Sequence, residues 1–170
     1  MDAKAPQIFP VKDPPKEKPR KVVHPNLPEL PCIMCLVMPT KSGKSTILSN
    51  LLLRDEFYKG AMDNVTIMSN TIDQDVTSRF LRKACDTYTG YDDNVLAGII
   101  EQQKQFDDDD RPFIGMVFDD ILGSVKRNSY LNHLVTRSRH YGVGLLAISV
   151  QSFKAVGPTI RNNTNAFICG

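Results

Sequence analysis

The residues best equipped for chemistry in this chain are Gly43, Lys44 and Ser45, the paired carboxylates Asp119 and Asp120, and Gln151. Glycine, lysine and a hydroxyl residue in succession suit a polyphosphate. The glycine lets the backbone approach without a Cβ in the way. Amides of the preceding loop can turn inward onto phosphate oxygens. The lysine reaches the β- and γ-phosphates, and the serine hydroxyl ligates Mg²⁺. Thr40, Lys41, Ser42, Gly43, Lys44, Ser45 and Thr46 are therefore the expected nucleotide-binding residues, with ATP and Mg²⁺ as cofactors. The first position of this motif, normally glycine, is Met38.

Two carboxylates that end an apolar run have no place in a core, and need solvent, a metal or a partner. Asp119 suits a Mg²⁺ ligand, and Asp120 a general base that polarises an attacking water. Capping of a following helix is the plainer role for the same pair. Gln151 also ends an apolar run, where its amide can hydrogen-bond both a water and a γ-phosphate.

These residues need elements to hold them. Cys32 to Met38 is short and apolar, as a buried strand is, and Ile47, Leu48, Leu51 and Leu52 follow at helical spacing. Val65 to Ser69 alternates as a strand, Phe113 to Phe118 is a second buried run, and Val143 to Val150 is a third. Ala166 to Cys169 reads as one more strand. Helices are expected over Thr77 to Cys85, with Phe80, Leu81 and Ala84 on one face, over Asn94 to Phe106, and over Tyr130 to Thr136. Strands alternating with helices predict an α/β fold, a mainly parallel sheet with helices on both faces. Right-handed crossovers then bring Gly43, Asn70, Asp119 and Gln151 to one rim. Arg137 and Arg139 precede the third run and fall at the opposite rim. They can serve a neighbouring subunit's nucleotide as arginine fingers, or form surface ion pairs.

Composition sets the frame. A chain of 170 residues with 41% apolar content fits one domain with a real core. A net charge of +2 does not by itself point to nucleic acid. No apolar run approaches a membrane span and no signal peptide opens the chain, so a soluble, intracellular protein is expected. Residues 1–30 are rich in proline and lysine and read as an extended arm, with 31–170 as the folded domain. Lys12, Lys16, Lys18, Arg20 and Lys21 in that arm can touch DNA or a protein partner, or simply be solvated. Asp107 to Asp110 reads as a solvated turn, since consecutive carboxylates cannot all face one ion. Cys32 and Cys35 lie within a strand, and read as buried reduced thiols together with Cys85 and Cys169.

The order of features resembles the FtsK–HerA superfamily of ring ATPases, and within it the genome-packaging ATPases of large double-stranded DNA viruses of the poxvirus and giant-virus type. The resemblance is carried by His24-Pro25-Asn26-Leu27-Pro28, Ser42-Gly43-Lys44-Ser45, Ser69-Asn70-Thr71, Phe118-Asp119-Asp120, Arg139-His140-Tyr141-Gly142 and Gln151-Ser152-Phe153-Lys154, and covers about residues 24 to 170. It implies a RecA-like P-loop NTPase core with an extra strand between the strands that carry Lys44's loop and Asp119. It also implies Mg²⁺-dependent ATP hydrolysis in a homo-oligomeric ring, threading of double-stranded DNA into a capsid, contact with capsid proteins, and a place in the host-cell cytoplasm at the viral factory and in the virion. Asp120 stands where many relatives have glutamate. The family core tends to continue past Cys169, so a minimal form or a fragment is expected. Competing readings are a conjugation or partition ATPase of the same superfamily, a small P-loop kinase, and a catalytically idle scaffold.

Overall fold

The computed structural model describes residues 24–126 and 129–170. Six strands form one sheet: β1 (Cys32–Val37), β2 (Asn64–Ser69), β3 (Asp86–Thr89), β4 (Ile114–Asp119), β5 (Val143–Val150) and β6 (Ala166–Cys169). Their order is β3-β2-β4-β5-β1-β6, and every neighbouring pair is parallel. Parallel pairing requires crossovers, and helices supply most of them. The strand before Lys44's loop, β1, is thus separated from β4 by β5, the inserted strand that the resemblance implies.

Helix α1 (Lys44–Leu53) covers one face, joined by the short α2 (Leu81–Ala84). On this side Leu48, Leu51, Leu52 and Leu81 pack with Cys32, Met34, Leu36, Ile67, Val117, Leu145 and Ala147. Helices α3 (Asp93–Lys104), α4 (Tyr130–Arg137) and α5 (Pro158–Asn163) cover the other. There Leu96, Ile100, Leu131, Leu134 and Ile160 pack with Ile33, Cys35, Met68, Met116, Phe118, Leu146 and Ile148. Both faces are buried, so the central strands are apolar at nearly every position instead of alternating. All eight residues of β5 are buried.

The expected helix over Thr77 to Cys85 is broken. A 3₁₀ turn over Val76–Arg79 precedes the four residues of α2. Only Leu81 of the predicted face enters the core, while Phe80 is exposed beneath the Arg79 guanidinium. Sequence patterning also misses β3 and α5. β3 is a polar edge strand, Asp-Thr-Tyr-Thr, with no apolar run to mark it. α5 is six residues behind Gly157 and Pro158, too short for a period to register. In α3 Asp92 caps the first turn, its carboxylate accepting from the amides of Asn94 (2.8 Å) and Val95 (3.4 Å).

Residues 1–23, with the lysines of the expected arm, lie outside the described residues. Leu27 and Leu30 pack against the α1-side core, and the buried Tyr58 donates its hydroxyl to the Pro28 carbonyl at 2.9 Å. Cys32 and Cys35 are free and buried on opposite faces, since residues three apart on a strand point apart.

Candidate active site

The site lies where β1, β5, β4 and β2 end. After β1, Met38 still belongs to the sheet: its amide donates to the Val150 carbonyl at 3.0 Å. Its side chain is buried against Gly170 beyond β6, on the side of β1 away from β5 and β4. The side chain in place of the usual glycine is thus directed away from the loop. Lys41 and Gly43 then take left-handed backbone, with φ of 63° and 94°. These turns bring the chain round to enter α1 at Lys44. Among the described residues, the amides of Thr40, Lys41, Gly43, Lys44, Ser45 and Thr46 donate to no protein acceptor. They are a run of free donors at the positive end of a ten-residue helix, which is what binding a phosphate requires.

Opposite this loop stands the carboxylate pair. Ser69, Asp119 and Ser149 are in register across β2, β4 and β5, with Ser69 beside Asp119 and Asp119 beside Ser149. All three side chains point to the α1 face. The Ser69 hydroxyl donates to Asp119 Oδ2 at 2.9 Å, and the Ser149 hydroxyl donates to Oδ1. A carboxylate that is 8% exposed is thereby solvated by protein hydroxyls and kept in one orientation.

Asp120 ends the strand in left-handed backbone, φ 52°. Such a conformation costs a non-glycine residue about 1–2 kcal/mol. It is held by the Asp120 amide, which donates to the Ser149 carbonyl (3.1 Å), and by Asn70 Nδ2, which donates to the Asp120 carbonyl (2.9 Å). An extended residue 120 would alternate onto the α3–α4 face. The left-handed turn instead aims its carboxylate at Lys44, with Nζ to Oδ2 at 2.8 Å. Gln151 Nε2 lies 3.4 Å from the same oxygen. Lys44, Asp119, Asp120 and Gln151 therefore meet at one rim, as their positions in the sequence predict.

Near Ser45 stands a residue that sequence reading does not single out. Ser45 adds to the environment of the Asp75 carboxylate, which lies just before the 3₁₀ turn and accepts from the Thr77 amide at 2.8 Å and the Ser78 hydroxyl at 3.1 Å. Burial raises the pKa of this carboxyl, but the polar groups of Ser45, Thr77 and Ser78 outweigh that and hold it below the ordinary carboxylate value. No motif marks Asp75. The only signal is an aspartate two residues before the Thr77 amide that it caps, a local turn pattern.

The residues present fit a Mg²⁺–triphosphate. Mg²⁺ keeps several of its waters and takes one or two protein oxygens, which the Ser45 hydroxyl and Asp119 would supply. The loop amides and Lys44 are the complement of an anion. Arg137 and Arg139 are not part of this rim. They lie before β5, and Gln151 lies after it, so the eight-residue strand separates them by about 25 Å. Both are exposed, without an ion pair among the described residues. With His140 they line a cleft of about 330 Å³ at the start of β1, whose other wall carries Asn162, Asn163 and Asn165. Gly142 sets their approach to the sheet: φ is 67°, and a Cβ there would lie 2.7 Å from the Pro112 carbonyl. Asp107 to Asp110 is exposed, and Asp108 pairs with Arg111 at 2.7 Å.

Comparison with solved structures identifies the architecture. The cytoplasmic domain of EssC superposes with a TM-score of 0.57 at 17% identity, over 81% of this chain and 32% of that one. The genome packaging NTPase B204 of Sulfolobus turreted icosahedral virus 2, in complex with ATP-gammaS, gives 0.56 at 15% identity, over 81% of this chain and 73% of that one. EssC (ATPases 2 and 3) from Geobacillus thermodenitrificans gives 0.55 at 17%, over 81% and 32%. The chain thus spans about a third of the length of the EssC chains it matches. No family model and no curated protein matches the sequence. These neighbours include proteins described as an NTPase and as ATPases, and at such identities the likeness is one of fold. The chain has the α/β, RecA-like P-loop fold of these ATPases.

Proposed function

We propose that this protein is a Mg²⁺-dependent ATPase of the FtsK–HerA type that translocates double-stranded DNA, in the manner of a viral genome-packaging motor. The observation that carries the reading is the meeting of Lys44 and Asp120 at 2.8 Å beside a loop of unpaired amides. The loop amides and Lys44 bind and orient the triphosphate. Mg²⁺, when bound, neutralises charge on the β- and γ-phosphates. Ser45 and Asp119 hold the cation's protein-facing side. Asp120 accepts a proton from water at its carboxylate, and Gln151 orients that water. Arg137 or Arg139 stabilises the charge on a neighbouring subunit's nucleotide, which makes a homo-oligomeric ring part of the mechanism. The fold shared with a viral genome packaging NTPase supports DNA as the polymer and capsid proteins as partners. A packaging role places the protein in the host-cell cytoplasm, at the viral factory, and in the virion. Among the described residues no helix is long and apolar enough to cross a membrane.

A second reading has one observation behind it. Thermomonospora curvata EccC (ATPases 2 and 3), solved in complex with a signal sequence peptide, shares this fold with a TM-score of 0.51 at 13% identity. A protein of this architecture can therefore bind a peptide. ATP turnover measured alone, with duplex DNA and with unfolded polypeptide separates the two. DNA stimulation is expected. Stimulation by polypeptide alone transfers the assignment to the second reading, and the absence of turnover in the folded protein removes both.

A further inference from the structure

Lys41 and Asp120 are the two non-glycine residues with left-handed backbone among the described residues. Asp120 has two backbone restraints, and they do different things. Its amide donates to the Ser149 carbonyl at 3.1 Å, one step beyond the Asp119–Ser149 register. That bond merely continues the ladder between β4 and β5. The amide lies before the φ rotation of residue 120, so the bond is compatible with an extended residue as well as with a left-handed one. The carbonyl lies beyond both rotations, and its direction reports the turn. It accepts from Asn70 Nδ2 at 2.9 Å.

Asn70 is well placed to hold it. It follows Ser69, the last residue of β2, which pairs with Asp119 and donates its hydroxyl to that carboxylate at 2.9 Å. The Ser69 carbonyl accepts from the Gly90 amide at 2.9 Å, which ties this corner to the turn after β3. Gly90, with φ of 80°, stands against the other end of the side chain: a Cβ there would lie 3.4 Å from Asn70 Oδ1. A carbonyl can only accept, so the nitrogen of the Asn70 amide must face Asp120.

Resting on the proposed hydrolytic reading, we propose that Asn70 is a positioning residue for the base, acting through the Asp120 backbone. Its side-chain amide selects the left-handed turn, and the turn keeps the Asp120 carboxylate at Lys44 Nζ (2.8 Å) and near Gln151 Nε2 (3.4 Å). Without that donor, residue 120 relaxes toward the extended backbone that a non-glycine residue prefers, and its carboxylate swings off the rim.

The test measures steady-state ATP turnover by the full chain, together with equilibrium binding of a non-hydrolysable ATP analogue. Asn70→Ala removes the donor from an exposed side chain. Its kcat should fall by about five- to tenfold, the equilibrium worth of one hydrogen bond, with analogue affinity and unfolding midpoint unchanged. On an Asp120→Asn background, where no base is left to position, Asn70→Ala should cost nothing further in kcat. Asn70→Leu, of similar size and without a donor, should behave as Asn70→Ala does, and takes its place if the alanine variant fails to fold. An unchanged kcat in either folded variant overturns the proposal, as does an equal loss with and without the Asp120 carboxylate, or a loss that follows analogue affinity instead of kcat. Wild-type protein that binds the analogue but turns over no ATP removes the hydrolytic reading and this proposal with it. That result is distinct from an active wild type whose Asn70 variants are equally active.

Discussion

Lys44 Nζ sits 2.8 Å from Asp120 Oδ2, although 76 residues separate the two in the chain. The lysine is buried and the aspartate partly exposed, so the pair reaches from the interior to the rim of the sheet. In the proposed mechanism Lys44 supplies charge for binding and Asp120 supplies basicity, and the contact restrains both side chains.

That pairing separates binding from chemistry. Lys44→Ala should abolish nucleotide binding, measured by equilibrium titration. Asp120→Asn should retain binding, because the loss of one anion beside Lys44 favours another. Its turnover should fall by about 10²–10⁴, the span of a general base. Normal hydrolysis by Asp120→Asn would remove that residue from its role.

Because the arginines lie about 25 Å from the base of their own subunit, their contribution should cross a subunit boundary. Arg139→Ala and Lys44→Ala proteins, each inactive alone, should regain part of the wild-type turnover when mixed. A mixture as inactive as its components would leave Arg139 on the surface without a catalytic part, and Arg137→Ala in the same assay distinguishes the two side chains.

Gly142 and Gly60 both have positive φ, 67° and 72°, but only Gly142 has a backbone atom where a Cβ would go. Gly60→Ala should cost about 1–2 kcal/mol from backbone conformation alone. Gly142→Ala adds a clash with the Pro112 carbonyl and should exceed that by at least about 1 kcal/mol. Urea midpoints of the two variants check the ordering.

Burial pushes the thiols of Cys32, Cys35 and Cys85 up to about 11 from 9.0. In unfolded chain these thiols ionise near pH 9, while in the native protein they stay protonated. Their contribution to stability is therefore complete below about pH 9 and is lost as pH rises toward about 11. Chemical denaturation across this window should show stability falling with pH. Iodoacetamide at pH 8 should label the exposed Cys169 in native protein and reach the other three only after unfolding.

Much of this molecule is legible in its sequence because the information is local. A buried strand of a parallel sheet is apolar throughout, so Cys32 to Val37, Ile114 to Phe118 and Val143 to Val150 announce themselves. Gly43-Lys44-Ser45 and Asp119-Asp120 announce themselves by residue type. The rule that strand ends converge at one rim then brings them together without a coordinate. The edge strand β3, the short α5 and the break ahead of α2 have no such local signal, since what holds them is contact with distant elements.

The sequence by itself determined the alternation of strands and helices, the phosphate loop, the carboxylate pair and the rim where they meet, because each follows from periodicity or from side-chain chemistry. Only the tertiary structure decided that Asp120 leaves the strand in a left-handed turn toward Lys44, that Met38 packs away from the loop, and that Ser69 and Ser149 flank Asp119. Those relations depend on strand register and on the path of a crossover, and register is set by packing over the whole sheet.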